Sequence, residues 1–179
     1  MMPALLAWLA AAAAGLALPS LGGGLVDPFA DGGKAHAFVF IHPDCPVSNR
    51  YAPELSRLHG EFAARGIRLW VVYPGRDDGE AAIRAHYTEY GLQAPALLDP
   101  GFALADMAGA TMTPEAAVFT PDRRLVYRGR IDDRAVRLGL IRATPRTRDL
   151  AGVLDRLARG ERVEPFTTQA VGCYIKALD

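Results

Sequence analysis

A cysteine followed by a proline, set between an apolar run and a segment of helical periodicity, constrains this chain more than any other feature. Phe38-Val39-Phe40-Ile41 reads as a strand, His42-Pro43-Asp44 as a tight connection, and Cys45-Pro46-Val47-Ser48-Asn49 as the opening of a helix. Pro46 suits the first helical position because its missing N–H has no intrahelical partner there. Val47, Tyr51, Leu55, Leu58 and Phe62 then recur at steps of three and four, one apolar stripe that must face a core. Gly66 ends the helix. A thiol at such a start meets unpaired N–H groups and the positive end of the helix dipole, so it should ionise below its ordinary pKa of about 8.5.

The rest of the chain supplies the sheet around that helix. Ile67 to Tyr73 is a nearly unbroken β-prone run of the kind covered on both faces, expected parallel to the first strand. A helix over about Glu80 to Tyr90 is expected next, capped by Asp78 and stopped by Gly91, followed by a short strand at Pro95 to Leu98. Asp99-Pro100 repeats the cap-plus-proline opening for a helix running to about Ala108. After Thr113-Pro114, the runs Glu115–Phe119 and Leu125–Ile131 flank a polar turn and read as an antiparallel hairpin. Residues 132–148 show no period and read as a loop. Leu150, Val153, Leu154 and Leu157 mark a last amphipathic helix over Asp149 to Arg159. The expected fold class is therefore α/β, one central mixed sheet flanked by helices, βαβ then ββα, with a helix–strand–helix insertion between.

The ends differ from this pattern. Pro3 to Leu18 is uncharged and nearly all Ala, Leu and Trp, short for a spanning helix but apt for the apolar part of an export signal. Residues 1–17 are therefore expected to be a signal peptide cleaved after Ala17, an uncleaved N-terminal membrane tether being the alternative. Residues 18–34, bracketed by Gly22-Gly23-Gly24 and Gly32-Gly33, read as a flexible Gly-rich lead, 35–160 as the folded domain and 161–179 as a tail. Export would place the chain in the bacterial periplasm or cell envelope, where disulfides persist. Equal numbers of acidic and basic side chains, 20 of each, and no clustered basic patch argue against nucleic acid or an anionic membrane surface as the main target.

With these elements in place, the chain resembles thioredoxin-fold proteins, and more narrowly the redoxin group that includes the alkyl hydroperoxide reductase/thiol-specific antioxidant class and exported thioredoxin-like oxidoreductases. The likeness covers about Ala35 to Arg159. It rests on the Cys45-Pro46 helix start, Pro53 inside that helix, Thr113-Pro114 before the hairpin, and the hairpin-plus-helix ending. It implies a cis peptide at Thr113-Pro114 beside the cysteine. Two departures stand out. Ser48 replaces the second cysteine of the thioredoxin Cys-x-x-Cys pair, and alignment on Cys45 puts Phe38 and His42 where peroxiredoxins carry their proline and threonine.

A lone thiolate at a helix start attacks either a disulfide, giving a mixed disulfide, or a peroxide, giving a sulfenic acid. Either product needs a second thiol, and Cys173 in the tail is the other cysteine of the chain. The expected activity is that of a thiol–disulfide oxidoreductase with Cys45 as nucleophile and Cys173 as resolving partner, Gly172 helping a close approach. The competing role for the pair is an inert disulfide pinning the tail, worth about 2–4 kcal/mol. Ser48 would donate a hydrogen bond to the thiolate or bond backbone. Arg130 would bring a positive charge to it or stay a strand-end charge paired with Asp132 or Asp133. Glu115 would accept the thiol proton or be a surface carboxylate. Thiol or disulfide substrates and a redox donor protein are the expected partners, and no cofactor is. The alternatives are a peroxidase, or a binding module without turnover that holds a partner chain or, through His42 and Cys45, copper or zinc. His36, His59 and His86 read as surface or half-buried residues.

Overall fold

The computed structural model describes residues 15–76 and 78–175. Two short antiparallel strands, β1 (Leu18–Pro19) and β2 (Leu25–Val26), precede a βαβ unit of β3 (Ala35–Phe40), α1 (Pro46–Ala63) and β4 (Ile67–Pro74). Next come α2 (Glu80–Glu89), β5 (Ala96–Asp99), α3 (Ala103–Ala108) and β6 (Met112–Thr113). The hairpin β7 (Glu115–Phe119) and β8 (Leu125–Gly129) follows, then a small hairpin, β9 (Ala135–Arg137) and β10 (Leu140–Ile141). The chain closes with α4 (Asp149–Ala158), β11 (Phe166–Thr167) and β12 (Cys173–Tyr174).

The main sheet has the order β11-β8-β7-β3-β4-β5. β3, β4 and β5 are parallel, β7 runs against β3, and β8 against β7, which is the mixed sheet of a thioredoxin fold. Alternation along β3 splits the core in two. Ala37 and Val39 pack with Leu55, Leu58 and Phe62 of α1 and Leu150 and Leu154 of α4 on one face. Phe38 and Phe40 pack with Leu104 and Ala105 of α3, Leu18, Phe29 and Ile175 on the other. Burying each of these large side chains contributes about 1.5–3 kcal/mol. The register sets the geometry of everything below: Phe40 lies opposite Glu115, and Ala116 opposite Gly129. The C-terminal ends of β3 and β8 and the N-terminal end of β7 therefore share one edge of the sheet.

Several local expectations are replaced by longer-range contacts. The Gly-rich lead is packed: Leu18, Leu21 and Phe29 are buried, and Leu21 donates its N–H to the Ala96 carbonyl. Of the apolar run at 3–18, residues up to 14 lie outside the described residues, while the cleavage site expected after Ala17 lies within them, just before β1. Among the described residues no helix is long and apolar enough to cross a membrane. Asp78 does not cap α2, whose N-cap is Gly79, because its carboxylate is engaged by His42. α3 begins at Ala103, and Asp99 caps it from a distance by accepting the N–H groups of Leu104 and Ala105 at 3.1 and 2.9 Å. The stretch 132–148 contains the β9–β10 hairpin, held at its base by buried Asp132 and Asp133. The tail is bound rather than loose. β11 runs parallel to β8, and β12 pairs antiparallel with β6, setting Cys173 opposite Thr113.

Candidate active site

Cys45 is the N-cap of α1 and uses its sulfur where Ser or Asp would use oxygen, accepting the Ser48 N–H at 3.5 Å. Pro46 occupies the first turn, and Pro53 lies inside the helix, as the likeness to thioredoxins requires. The Thr113-Pro114 peptide is cis, and the Thr113 carbonyl lies 3.0 Å from the Cys45 sulfur. That carbonyl is also where the tail arrives. A Cβ on Gly172 would stand 1.9 Å from the Thr113 oxygen, so only glycine fits, and the Thr113 hydroxyl reaches the Cys173 carbonyl at 3.5 Å. The Cys173 thiol is thereby brought beside Cys45, near enough for each sulfur to affect the ionisation of the other. Both cysteines are free thiols, Cys45 1% exposed and Cys173 half-buried.

The two sulfurs have opposite electrostatics. Burial pushes Cys45 up, but the Ser48 hydroxyl, the Ser48 N–H and the Cys173 S–H outweigh it, so the thiol sits below its ordinary range. The Ser48 hydroxyl is buried and has no hydrogen-bond partner among the described residues, so its proton is free to turn toward a thiolate. The Thr113 carbonyl works the other way, accepting the S–H of the neutral thiol. Cys173 is pushed up to about 11 by burial and by its hydrogen bond and charge contact with Cys45. One sulfur is thus the readier to ionise, and its neighbour holds its proton more tightly.

The surrounding residues position this pair, several in ways the sequence did not disclose. Glu115 is neither a surface carboxylate nor a proton acceptor for the thiol. It is buried and takes the N–H groups of Thr111 and Met112 at 2.8 and 3.0 Å, fixing the loop before the cis proline. Arg130 is paired with Asp149, at the start of α4, which accepts from its Nε at 2.9 Å. His42 accepts the Asp44 N–H on Nδ1 and approaches Asp78 through Nε2 at 3.1 Å, so both ring nitrogens are engaged. Among the described residues no group of three or more His, Cys, Asp or Glu side chains is arranged to hold a metal.

His36 and His86 are buried rather than surface residues. His86 bridges the Tyr73 hydroxyl and the Asn49 side-chain oxygen, each at 2.9 Å, and Asn49 donates to the Pro43 carbonyl at 3.0 Å. This chain of contacts steadies the turn that leads into Cys45. Burial lowers the His86 pKa, which keeps the ring neutral near pH 7. The available signal was the spacing of Ile83 and His86, three apart on one helix face.

A family model described as the AhpC/TSA family matches residues 12–128, a span that ends within β8 and leaves α4 and the Cys173 tail beyond it. The chain is 24% identical over 94 residues to the thiol-disulfide oxidoreductase ResA of Halalkalibacterium halodurans; it spans about half the length, 52%, of that curated relative, using 52% of itself. A solved structure of a hypothetical protein from Sinorhizobium meliloti matches with a TM-score of 0.73 at 26% identity, over 92% of this chain and 91% of that one. A secreted disulfide oxidoreductase of Mycobacterium tuberculosis, homologous to E. coli DsbE, matches in fold with a TM-score of 0.56 at 19% identity, over 80% of this chain and 95% of that one.

Proposed function

The chain belongs to the AhpC/TSA family, and from that premise we propose that it is an exported thiol–disulfide oxidoreductase with Cys45 as nucleophile and Cys173 as resolving thiol. The observation that carries the reading is the contact between a thiol below its ordinary pKa and one pushed up to about 11. In the reductive direction the Cys45 thiolate attacks one sulfur of a substrate disulfide, and the other sulfur leaves as a thiolate. Cys173 then gives up its proton and attacks Cys45 in the mixed disulfide. The substrate departs as a dithiol, two electrons richer, and the protein keeps a Cys45–Cys173 disulfide that a donor dithiol reduces. Ser48 and Thr113 position the sulfur in both steps. Export is supported by the apolar run at 3–18 and by the secreted fold relative.

Disulfides are favoured over peroxides as substrate because of His42. It stands where peroxiredoxins place a threonine, and both its nitrogens are already engaged by Asp44 and Asp78. A trapping experiment tests the assignment of roles. Reduced Cys173→Ser protein mixed with a disulfide-bridged peptide should accumulate a Cys45–peptide mixed disulfide that the parent clears. If Cys45→Ser traps the peptide instead, or neither variant does, the assignment fails.

A further inference from the structure

The balanced charge of the whole chain hides a local imbalance. Residues 134–148 carry five arginines and not one Asp or Glu. Three are paired: Arg134 with Asp132 at 2.8 Å and Arg142 with Asp133 at 3.1 Å at the base of the β9–β10 hairpin, and Arg148 with Glu54 of α1 at 3.0 Å. Arg137 and Arg146 are exposed and make no ion pair among the described residues. Between them the hairpin presents Val136, Leu138 and Leu140, which are 39%, 60% and 45% exposed. Elsewhere in this chain large aliphatic side chains are mostly buried, so three together on one short hairpin are out of keeping with packing alone.

Its position gives the patch a meaning. The hairpin follows the C-terminal end of β8, at the same edge of the sheet as Cys45 and Pro114, and β8 lies two strands from β3, about 10 Å across the sheet. Its base is tied to α1 by the Tyr51 hydroxyl, which donates to Asp132 at 2.6 Å. Tyr51 is six residues from Cys45, about 9 Å along the helix axis. A polypeptide docked over Cys45 with a footprint of about 800 Å², a disc of roughly 16 Å radius, would reach this hairpin.

Building on the oxidoreductase reading, we propose that the β9–β10 hairpin is a docking surface beside the thiols for an acidic polypeptide partner, Arg137 and Arg146 meeting carboxylates and Val136, Leu138 and Leu140 its apolar side chains. The partner is a protein because the patch adjoins a thiol pair whose chemistry needs a second sulfur. Unpaired arginines flanking an apolar centre fit an acidic, partly apolar chain, and such charges act mainly on association rate.

The test uses the full reduced protein and three probes: neutral 4,4′-dithiodipyridine, and two peptides of equal length, one Glu-rich and one Lys-rich, each carrying a single cysteine as its pyridyl disulfide. Release of thiopyridone reports the attack by Cys45. The acidic peptide should react about tenfold faster than the basic one at low salt. The advantage should shrink in 0.5 M salt and vanish or reverse in the R137E/R146E double variant, with the dithiodipyridine rate unchanged. Equal peptide rates, or a preference that survives in the double variant, would overturn the docking surface while leaving the oxidoreductase reading intact. Binding of the hairpin to phosphatidylserine vesicles without peptide preference would overturn it in favour of a membrane. Failure of Cys45 to react with dithiodipyridine would sink both.

Discussion

The start of α1 and the C-terminal tail each bring one sulfur to the same point, and they are held there by different means. Cys45 is fixed by an 18-residue helix whose buried stripe, Val47 to Phe62, spans one face of the core. Cys173 is fixed by a two-residue strand, a glycine pressed on a carbonyl and Ile175 at the core's margin. The difference fits the proposed chemistry. A nucleophile gains from a rigid, pre-organised environment, whereas a resolving thiol must leave to admit substrate and return to close the disulfide.

The contrast can be sharpened by unequal damage. Leu55→Ala, at a fully buried position on α1, should cost about 2–5 kcal/mol in denaturant unfolding. Phe166→Ala, on a strand in the tail where the ring is 42% exposed, should cost well under half of that. If the two costs are equal, the tail is as much a part of the core as the helix. Next in size is Gly172→Ala. Its added Cβ overlaps the Thr113 oxygen, and overpacking of this kind costs about 1–3 kcal/mol. Closure of the Cys45–Cys173 disulfide should slow about tenfold to hundredfold, while alkylation of Cys45 by a neutral reagent speeds up as the cover loosens. Unchanged rates of both would mean that the tail does not lie where its pairing with β6 puts it.

Smaller effects read out the sulfurs themselves. Removing the hydroxyl in Ser48→Ala should raise the Cys45 pKa, seen as a shift of the alkylation profile to higher pH. No shift would remove Ser48 from the site. The smallest effect is in stability against pH, where the two thiols have opposite signs. Cys45, depressed in the folded state, adds stability above its unfolded pKa and loses it as pH falls through the folded value. Cys173, raised to about 11, stabilises the fold below its unfolded pKa and ceases to do so as pH rises toward 11. The difference in unfolding free energy between the parent and Cys173→Ala should therefore shrink from pH 8 to pH 11. A difference that is flat across that range contradicts the raised value.

The same contrast explains what the sequence disclosed. The helix start could be read because each of its signals is local: Pro46 after Cys45, the stripe at three and four, Gly66 at the end. The cis peptide followed from a family resemblance carried by two adjacent residues. What stayed hidden was set by partners distant in the chain. Asp78 reads as a helix cap because Gly79 and Glu80 follow it, yet His42 claims its carboxylate. Arg130 reads as a charge beside the sulfur or as a strand-end charge paired with Asp132 or Asp133, and its partner is Asp149, 19 residues on. The hairpin in 132–148 has too short a period to register, and Asp132 and Asp133, which hold it, look like surface charges until Tyr51, Arg134 and Arg142 are seen around them.

The most direct test of the account is intact mass and non-reducing peptide mapping of the folded protein, reduced, then treated with one equivalent of dithiodipyridine, then reduced again. The account predicts the loss of two hydrogens on oxidation, a single cross-linked peptide joining Cys45 to Cys173, and full recovery of both thiols with dithiothreitol while the protein stays folded. Two thiols that remain unlinked, or a bridge that yields only when the protein unfolds, would contradict it and leave Cys173 a structural residue.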